Sequence, residues 1–260
     1  MIREHDTNVR GTKIHWLEAG SGDPPFLLIH GFASTLRRNW VSTGWTRALA
    51  RAGHRAIAYD QRGHGESDKR YDPDDYAPEM LVADALTVLD AAGAATAVLM
   101  GYSMGARVAL EVAIRRPERA EALVLSGIGG NFRDFGGSRR ARELVAQALE
   151  ADDPSGFPPW ALTYRKFAEQ NQADRRALAA CWRRPIRGVR KEELAAVRVP
   201  ALIVVGDRDA VAGDPEPLVQ AMPRAEGIRL AGKDHMNAVG AKEHRAAVIA
   251  FLQRLARPTD

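Results

Sequence analysis

Gly101-Tyr102-Ser103-Met104-Gly105 is the stretch on which the reading of this chain turns. The residues before it, 95–101, are a short apolar run that predicts a strand, and 104–115 carry a helical pattern halted by Pro117. A serine is therefore expected at a sharp turn between strand and helix. Glycines two positions to either side let backbones pass closely there, and a strained turn of this kind holds a hydroxyl out in the open. The composition would produce G-x-S-x-G by chance only about 0.06 times in a chain this long, so the flanking strand and helix make it a catalytic expectation.

A serine hydroxyl is a weak nucleophile, so it needs a base, the base needs an orienting acid, and a developing oxyanion needs donors. The chain supplies them in order. The apolar run 201–206 is followed by Gly206-Asp207-Arg208-Asp209, and Gly232-Lys233-Asp234-His235 follows, its histidine 26 residues after Asp209. Upstream, the run 26–30 leads into His30-Gly31-Phe32, a loop able to aim a backbone N–H at the top of the serine's strand. Asp207 and Asp234 remain rival acids on these two loops. His5, His15, His54, His64 and His244 lack neighbours at metal-ligand spacing, and no phosphate loop or dinucleotide fingerprint follows a strand. The expectation is a site without metal and without cofactor.

Working outward, Val-, Ile- and Leu-rich runs at 13–19, 26–30, 54–59, 95–101, 122–126, 201–206 and 228–231 alternate with helical patterns at 46–52, 78–92, 104–115 and 242–255. This is the rhythm of an α/β protein with a mostly parallel central sheet covered by helices on both faces. The turn Gly20-Ser-Gly-Asp-Pro-Pro25 predicts that 13–19 and 26–30 form an antiparallel hairpin at the sheet edge. Residues 129–190 break the rhythm. Gly127, Gly129, Gly130, Gly136 and Gly137 open the segment, three helical stretches follow, and Phe157, Trp160, Tyr164, Phe167 and Trp182 concentrate aromatic side chains in it. Helices already cover both sheet faces, so an inserted helical segment is expected over the strand ends as a cap, with Gly127, Gly129 and Gly130 as its hinge. Trp160, Tyr164 and Trp182 are the candidate substrate-binding residues, lining an apolar pocket above Ser103. The domain organisation expected is a core of 1–128 and 191–260 with a cap of 129–190.

The 260 residues, 45% of them apolar, suffice for one large hydrophobic core without disulfide or metal support. No apolar run approaches a bilayer span, and the polar start Met1-Ile-Arg-Glu-His-Asp has no apolar signal core, so a cytoplasmic protein is expected. Cys181 has no second cysteine to pair with. The formal charge of +4 comes wholly from 129–198, which hold 14 Lys+Arg against 9 Asp+Glu. Those charges are interleaved with acids, and 31 of the 37 basic residues are arginine, so no nucleic-acid partner is expected.

Taken together the motifs resemble the α/β-hydrolase superfamily over nearly the whole chain outside the insertion. Similar proteins carry an H-G-x loop, matched by His30-Gly31-Phe32, a D-x-R-G-x-G-x-S turn, matched by Asp60 to Ser67, and the serine turn at Ser103. They also carry G-x-x-D, matched by Gly206 to Asp209, and a histidine in the next strand-to-helix loop, matched by His235. The resemblance implies Ser103 as nucleophile, His235 as base and then acid, Asp209 as its orienting acid, and the N–H groups of Phe32 and Met104 as the oxyanion hole. It also implies a helical cap after the sixth core strand. Asp60, Arg62 and Ser67 are expected to be a structural turn beside the site. The expected activity is hydrolysis of a small or medium carboxylic ester through an acyl-enzyme. Dehalogenases and epoxide hydrolases of this fold carry aspartate where Ser103 stands. Perhydrolases, carbon–carbon bond hydrolases and hydrolase-like ligand receptors share the serine triad and stay open.

Overall fold

The computed structural model describes residues 1–131 and 137–256; Gly136 lies outside them. Eight strands form one sheet in the order β1-β2-β4-β3-β5-β6-β7-β8. They are β1 (Ile2–Val9), β2 (Thr12–Ala19), β3 (Phe26–Ile29), β4 (Ala56–Tyr59), β5 (Ala97–Tyr102), β6 (Ala120–Ser126), β7 (Ala201–Gly206) and β8 (Ala225–Leu230). The ladder from β4 through β3 to β8 is parallel, and β2 joins it antiparallel to β4. Helices α1 (Trp45–Arg51), α2 (Pro78–Ala91), α3 (Met104–Arg115), α4 (Arg139–Glu150), α5 (Pro159–Gln170), α6 (Arg175–Arg183), α7 (Lys191–Ala195), α8 (Glu216–Ala221) and α9 (Lys242–Leu255) follow in chain order.

The period of two along each strand explains why the sheet is double-sided. Leu27, Ile29, Leu99, Leu123, Leu125 and Ile203 pack with α2 and α3 on one face. Phe26, Leu28, Val98, Met100, Val124, Leu202 and Val204 pack with Trp45 and Leu49 of α1 and Val248 and Phe251 of α9 on the other. Both faces are apolar, so alternation disappears and each strand reads as an unbroken hydrophobic run.

The expected edge hairpin is corrected. β2 does not pair with β3; its neighbours are β4 and β1, whose eight residues run antiparallel to it from Ile2↔Ala19 to Val9↔Thr12. The hairpin turn is Arg10-Gly11, both with positive φ (53° and 80°), the geometry that matches the twist of paired strands. Asn8 Oδ1 accepts from Gly11 N–H at 2.9 Å and stands in for the usual turn asparagine. β1 was illegible because an edge strand facing solvent needs no apolar stripe; all but two of its first seven residues are exposed.

The turn after β4 is held by buried charge. Asp60 accepts backbone N–H groups from Leu36 (2.7 Å) and Glu66 (2.8 Å), while Ser67 Oγ donates to the Asp60 carbonyl at 2.6 Å. Arg62 makes a two-pronged ion pair with Asp84 of α2, both bonds 2.7 Å, with side chains 0% and 1% exposed. Burial pushes the Asp84 carboxyl up and Arg62 opposes that shift. Removing one member strands the other charge in the core. Asp84→Ala is expected to lose about 3–5 kcal/mol in urea unfolding, whereas the double replacement Arg62→Met, Asp84→Leu recovers most of it.

Candidate active site

Ser103 sits at the carboxyl end of β5, fifth of the eight strands, where α3 begins. Its φ of 53° and ψ of −113° lie outside the ordinary wells, a conformation costing about 1–3 kcal/mol. The flanking glycines impose it. A Cβ on Gly101 would stand 2.2 Å from the Gly105 carbonyl carbon, and one on Gly105 would stand 2.0 Å from the Ile29 oxygen, so the first turn of α3 can press against β5 and β3 only without side chains. Ser103 N–H donates to Ser126 O at 2.7 Å, which pins the turn to the end of β6.

The loop after β8 brings His235 over this turn. His235 Nε2 lies 3.0 Å from Ser103 Oγ, and its Nδ1 lies 2.8 Å from Asp209 Oδ2 on the loop after β7. Asp209 is buried, and its Oδ1 accepts from Val211 N–H (3.0 Å) and Ala212 N–H (2.9 Å). With a carboxylate on Nδ1, the imidazole proton belongs there and the Nε2 lone pair faces the hydroxyl. Neither of the other two acids bonds the His235 ring. Asp207 is exposed, and Asp234 Oδ1 closes its own turn by accepting from Met236 and Asn237 N–H. Tyr102 OH donates to the His235 carbonyl at 2.6 Å, and a Cβ on Gly127 would lie 3.2 Å from His235 Cε1. Sequence reading took Gly127, Gly129 and Gly130 as a hinge; the structure gives each a packing reason, since Cβ atoms at 129 and 130 would press on the carbonyls of the 212–214 loop.

Phe32 and Met104 both line the cavity that contains Ser103 and His235. Met104 opens α3, so its N–H has no partner inside the helix. The Phe32 loop is braced from beneath and from above. Gly31 N–H donates to Asn39 Oδ1 at 2.8 Å, and Asn171 Nδ2 at the end of α5 donates to Ala33 O at 2.8 Å. His30 fixes the same loop by bonding Gly31 O through Nδ1 (2.7 Å) and accepting Gln61 N–H at Nε2 (3.0 Å). Asn39 and Asn171 carried no sequence signal, because each contacts residues that no local pattern connects to it.

The cavity measures about 870 Å³, ample for a small-molecule site. Helices α4 to α6 form a small apolar cluster of their own whose members include Val145, Leu149, Leu178 and Trp182, with Phe32 packed against it. Trp160, Tyr164 and Trp182 all line the cavity. Phe32 meets Trp182 edge-on at 5.5 Å and Tyr164 at 6.2 Å, so the aromatics of the inserted helices touch the loop beside Ser103. Trp182 is nearly buried, whereas Trp160 (46% exposed), Val211 (52%) and Met236 (57%) stand at the rim. Cys181 is buried against Met104 and Tyr76 with its thiol pushed up by desolvation, unlike a reactive thiolate. No cluster of metal-ligating side chains and no helix long and apolar enough to cross a membrane occurs among the described residues.

Residues 24–147 match the family model described as alpha/beta hydrolase fold. An acetyltransferase component of the acetoin cleaving system of Pseudomonas putida is 31% identical over 266 aligned positions, covering 95% of this chain and 68% of that protein. An epoxide hydrolase of Caballeronia sordidicola is 38% identical over 125 residues, covering 47% of this chain and 36% of the relative. The chain thus spans only about a third of the length of that relative and of another epoxide hydrolase, from Siraitia grosvenorii. Among solved structures, the enol-lactonase of Burkholderia xenovorans LB400 superimposes with a TM-score of 0.71 at 25% identity, over 96% of this chain and 100% of that one. A hydrolase from Pseudomonas aeruginosa PA01 gives 0.79 at 24% identity, over 96% and 98%. The chain belongs to the α/β-hydrolase family.

Three histidines near the site are neutral by burial. Desolvation pushes His30 and His244 down to about 4, and His64, which also feels His30, to about 3. Each would take a proton near 6.5 once unfolded, so between about 4 and 6.5 the unfolded chain binds more protons and stability falls as pH falls. Urea unfolding is expected to show a slope exceeding one proton, about 1.4 kcal/mol per pH unit, in that window. His244→Gln should reduce it by about one proton; an unchanged slope would mean that His244 is charged in the fold.

Proposed function

We propose that this chain is a serine hydrolase acting on a small or medium carboxylic ester through an acyl-enzyme. The observation that carries the reading is the continuous relay from Ser103 Oγ through His235 to Asp209 at 3.0 and 2.8 Å, with Ser103 held in its strained turn. Ser103 attacks the carbonyl as His235 Nε2 takes its proton, and Asp209 stabilises the imidazolium while fixing its tautomer. The N–H groups of Phe32 and Met104 receive the oxyanion. His235 then returns the proton to the leaving alcohol, and the acyl-enzyme is released by a water that His235 activates. The segment 129–190 serves as a cap over the core of 1–128 and 191–260, with Trp160, Tyr164 and Trp182 binding the apolar part of the substrate.

Several relatives are epoxide hydrolases, and chemistry separates them from this reading. A carboxylate that opens an epoxide forms an ester, which water can cleave. A serine that did so would form an ether, which water in this site could not cleave, and the enzyme would stop after one turnover. The nucleophile position here holds Ser103. The enol-lactonase relative acts on a cyclic ester by its own name, and that favours carbonyl chemistry. No cofactor, metal or nucleic acid enters the scheme, and the cytoplasm is the compartment that fits it.

Ser103→Ala and His235→Ala are each expected to lower turnover of p-nitrophenyl butyrate by about 10⁴ or more, with little further loss when combined. Asp209→Asn should cost about 10²–10⁴ by presenting the wrong tautomer. A fluorophosphonate should label Ser103 alone, and styrene oxide should not be consumed catalytically. Epoxide turnover that survives Ser103→Ala would overturn the assignment.

Trp160→Ala should shift the preference among p-nitrophenyl esters of increasing acyl length while a small phosphonate still labels Ser103. Equal loss on every ester would make Trp160 a packing residue only.

A further inference from the structure

The aromatic side of the cavity accounts for only part of its wall. Ser34, Arg38, Asn39 and Thr43 also line it, and all four come from the connection between β3 and α1. Within that connection residues 37–41 form a turn of π-helix, closed by Ser42 N–H to Arg37 O at 2.8 Å, a widened turn found often at functional sites. Arg37 pairs outward with Glu4, Trp40 enters the core, and Arg38 and Asn39 reach the cavity.

The donors on this wall are unspent. Asn39 is 8% exposed, commits Oδ1 to Gly31 N–H and is one of the residues lining the cavity. Ser34 is 5% exposed, and neither its hydroxyl, the Asn39 Nδ2 nor the Arg38 guanidinium has a hydrogen-bond partner among the described residues. The Ser34 hydroxyl and the Asn39 amide nitrogen are open to solvent at the cavity wall, where water or an acceptor group of a ligand can take their hydrogen bonds. Among the described residues no Asp or Glu lines the cavity. The second arginine on the wall, Arg184, donates to Cys181 O at 2.6 Å.

A cation, a hydroxyl and an amide donor on one wall of a cavity, with no Asp or Glu lining it among the described residues, match a carboxylate group, whose two oxygens offer up to four acceptor sites. Resting on the esterase reading above, we infer that the substrates are esters whose acyl part ends in a free carboxylate, held by Arg38, Ser34 and Asn39. Asn39 joins the two ends of the site. Its Oδ1 sets the Gly31-Phe32 loop that receives the oxyanion, and its Nδ2 meets the substrate's anion, so seating the carboxylate tensions the same side chain that positions the loop.

The test compares p-nitrophenyl hydrogen adipate with p-nitrophenyl hexanoate, matched in length and differing in the terminal charge. The wild type is expected to favour the adipate in kcat/KM by about tenfold or more, a preference that Arg38→Met removes and Ser34→Ala reduces by about two- to fivefold. Raising salt from about 0.05 to about 0.5 M should compress it, since Arg38 is exposed to screening. Arg51→Met, which removes an equal charge from the exposed end of α1, should leave the ratio within about twofold of wild type. Ser103→Ala, titrated calorimetrically with both esters, should bind the adipate more tightly, and Arg38→Met in that background should abolish the difference. A wild-type ratio near one, a ratio unchanged by Arg38→Met, or loss of the preference on Arg184→Met instead would overturn the inference. If Ser103→Ala hydrolysed both esters at the wild-type rate, the serine-hydrolase reading would fall, and calorimetry with the uncleaved pair adipic acid monoamide and hexanamide, with and without Arg38→Met, would judge the carboxylate site separately.

Discussion

The close approach of α3 to β5 and β3 at Gly101 and Gly105 is the constraint on which the site depends. With no side chain at either position, the helix starts within van der Waals distance of the sheet, and the residue between strand and helix is driven into positive φ. The strain is about 1–3 kcal/mol, small against the burial of β5 and α3 on their apolar faces. In return the Ser103 hydroxyl stands clear of the backbone at the carboxyl edge of a parallel sheet. The loops after β3, β7 and β8 emerge at that same edge because those strands run parallel. Parallel direction thus gathers the Phe32 loop, Asp209 and His235 around Ser103 without any of them being near in sequence.

Beneath that point the elements are locked by short polar links. Ser126 accepts Ser103 N–H with its carbonyl and lies 2.9 Å from His244 Nε2 with its hydroxyl, while His244 Nδ1 bonds Ala238 O on the segment that follows His235. Trp45 Nε1 donates to Val239 O at 2.8 Å and holds the same segment from α1. These buried bonds join α1, β6, α9 and the histidine loop, and desolvation keeps His244 neutral as the arrangement requires. Rigid support of this kind is what lets a relay hold its geometry.

The inserted helices are tied to the core at the turn between α5 and α6. Asn171 reaches Ala33 O, Tyr71 OH donates to Asp174 Oδ2 at 3.0 Å, and Arg176 lies over the Tyr71 ring at 5.0 Å. Through Asn171 the roof of the cavity bears on the Phe32 loop, and through Asn39 the floor does. The aromatic wall and the polar wall therefore meet at one short loop, the one proposed to receive the oxyanion.

Local pattern was enough to determine the sheet's character, the serine turn and the order of its partners. A buried parallel strand, a helix stopped by Pro117 and a G-x-S-x-G turn each depend on interactions within a few residues, and those leave periodicity and spacing in the chain. Asp209 is preferred to Asp207 only through the resemblance, whose G-x-x-D spacing from Gly206 it matches; the residues alone leave both open. Tertiary structure alone decided the rest. β1 is a polar edge strand recognisable only by its pairing with β2, and the neighbours of β2 follow from long-range register that the turn at 20–25 does not encode. Asp84, Asn39 and Asn171 act on residues 22, 8 and 138 positions away, and a side chain whose partner lies across the fold carries no period to read. Hydrogen bonds and ion pairs of that kind are satisfied only once the hydrophobic layers have placed their elements, so they belong to the folded molecule and not to any stretch of its sequence.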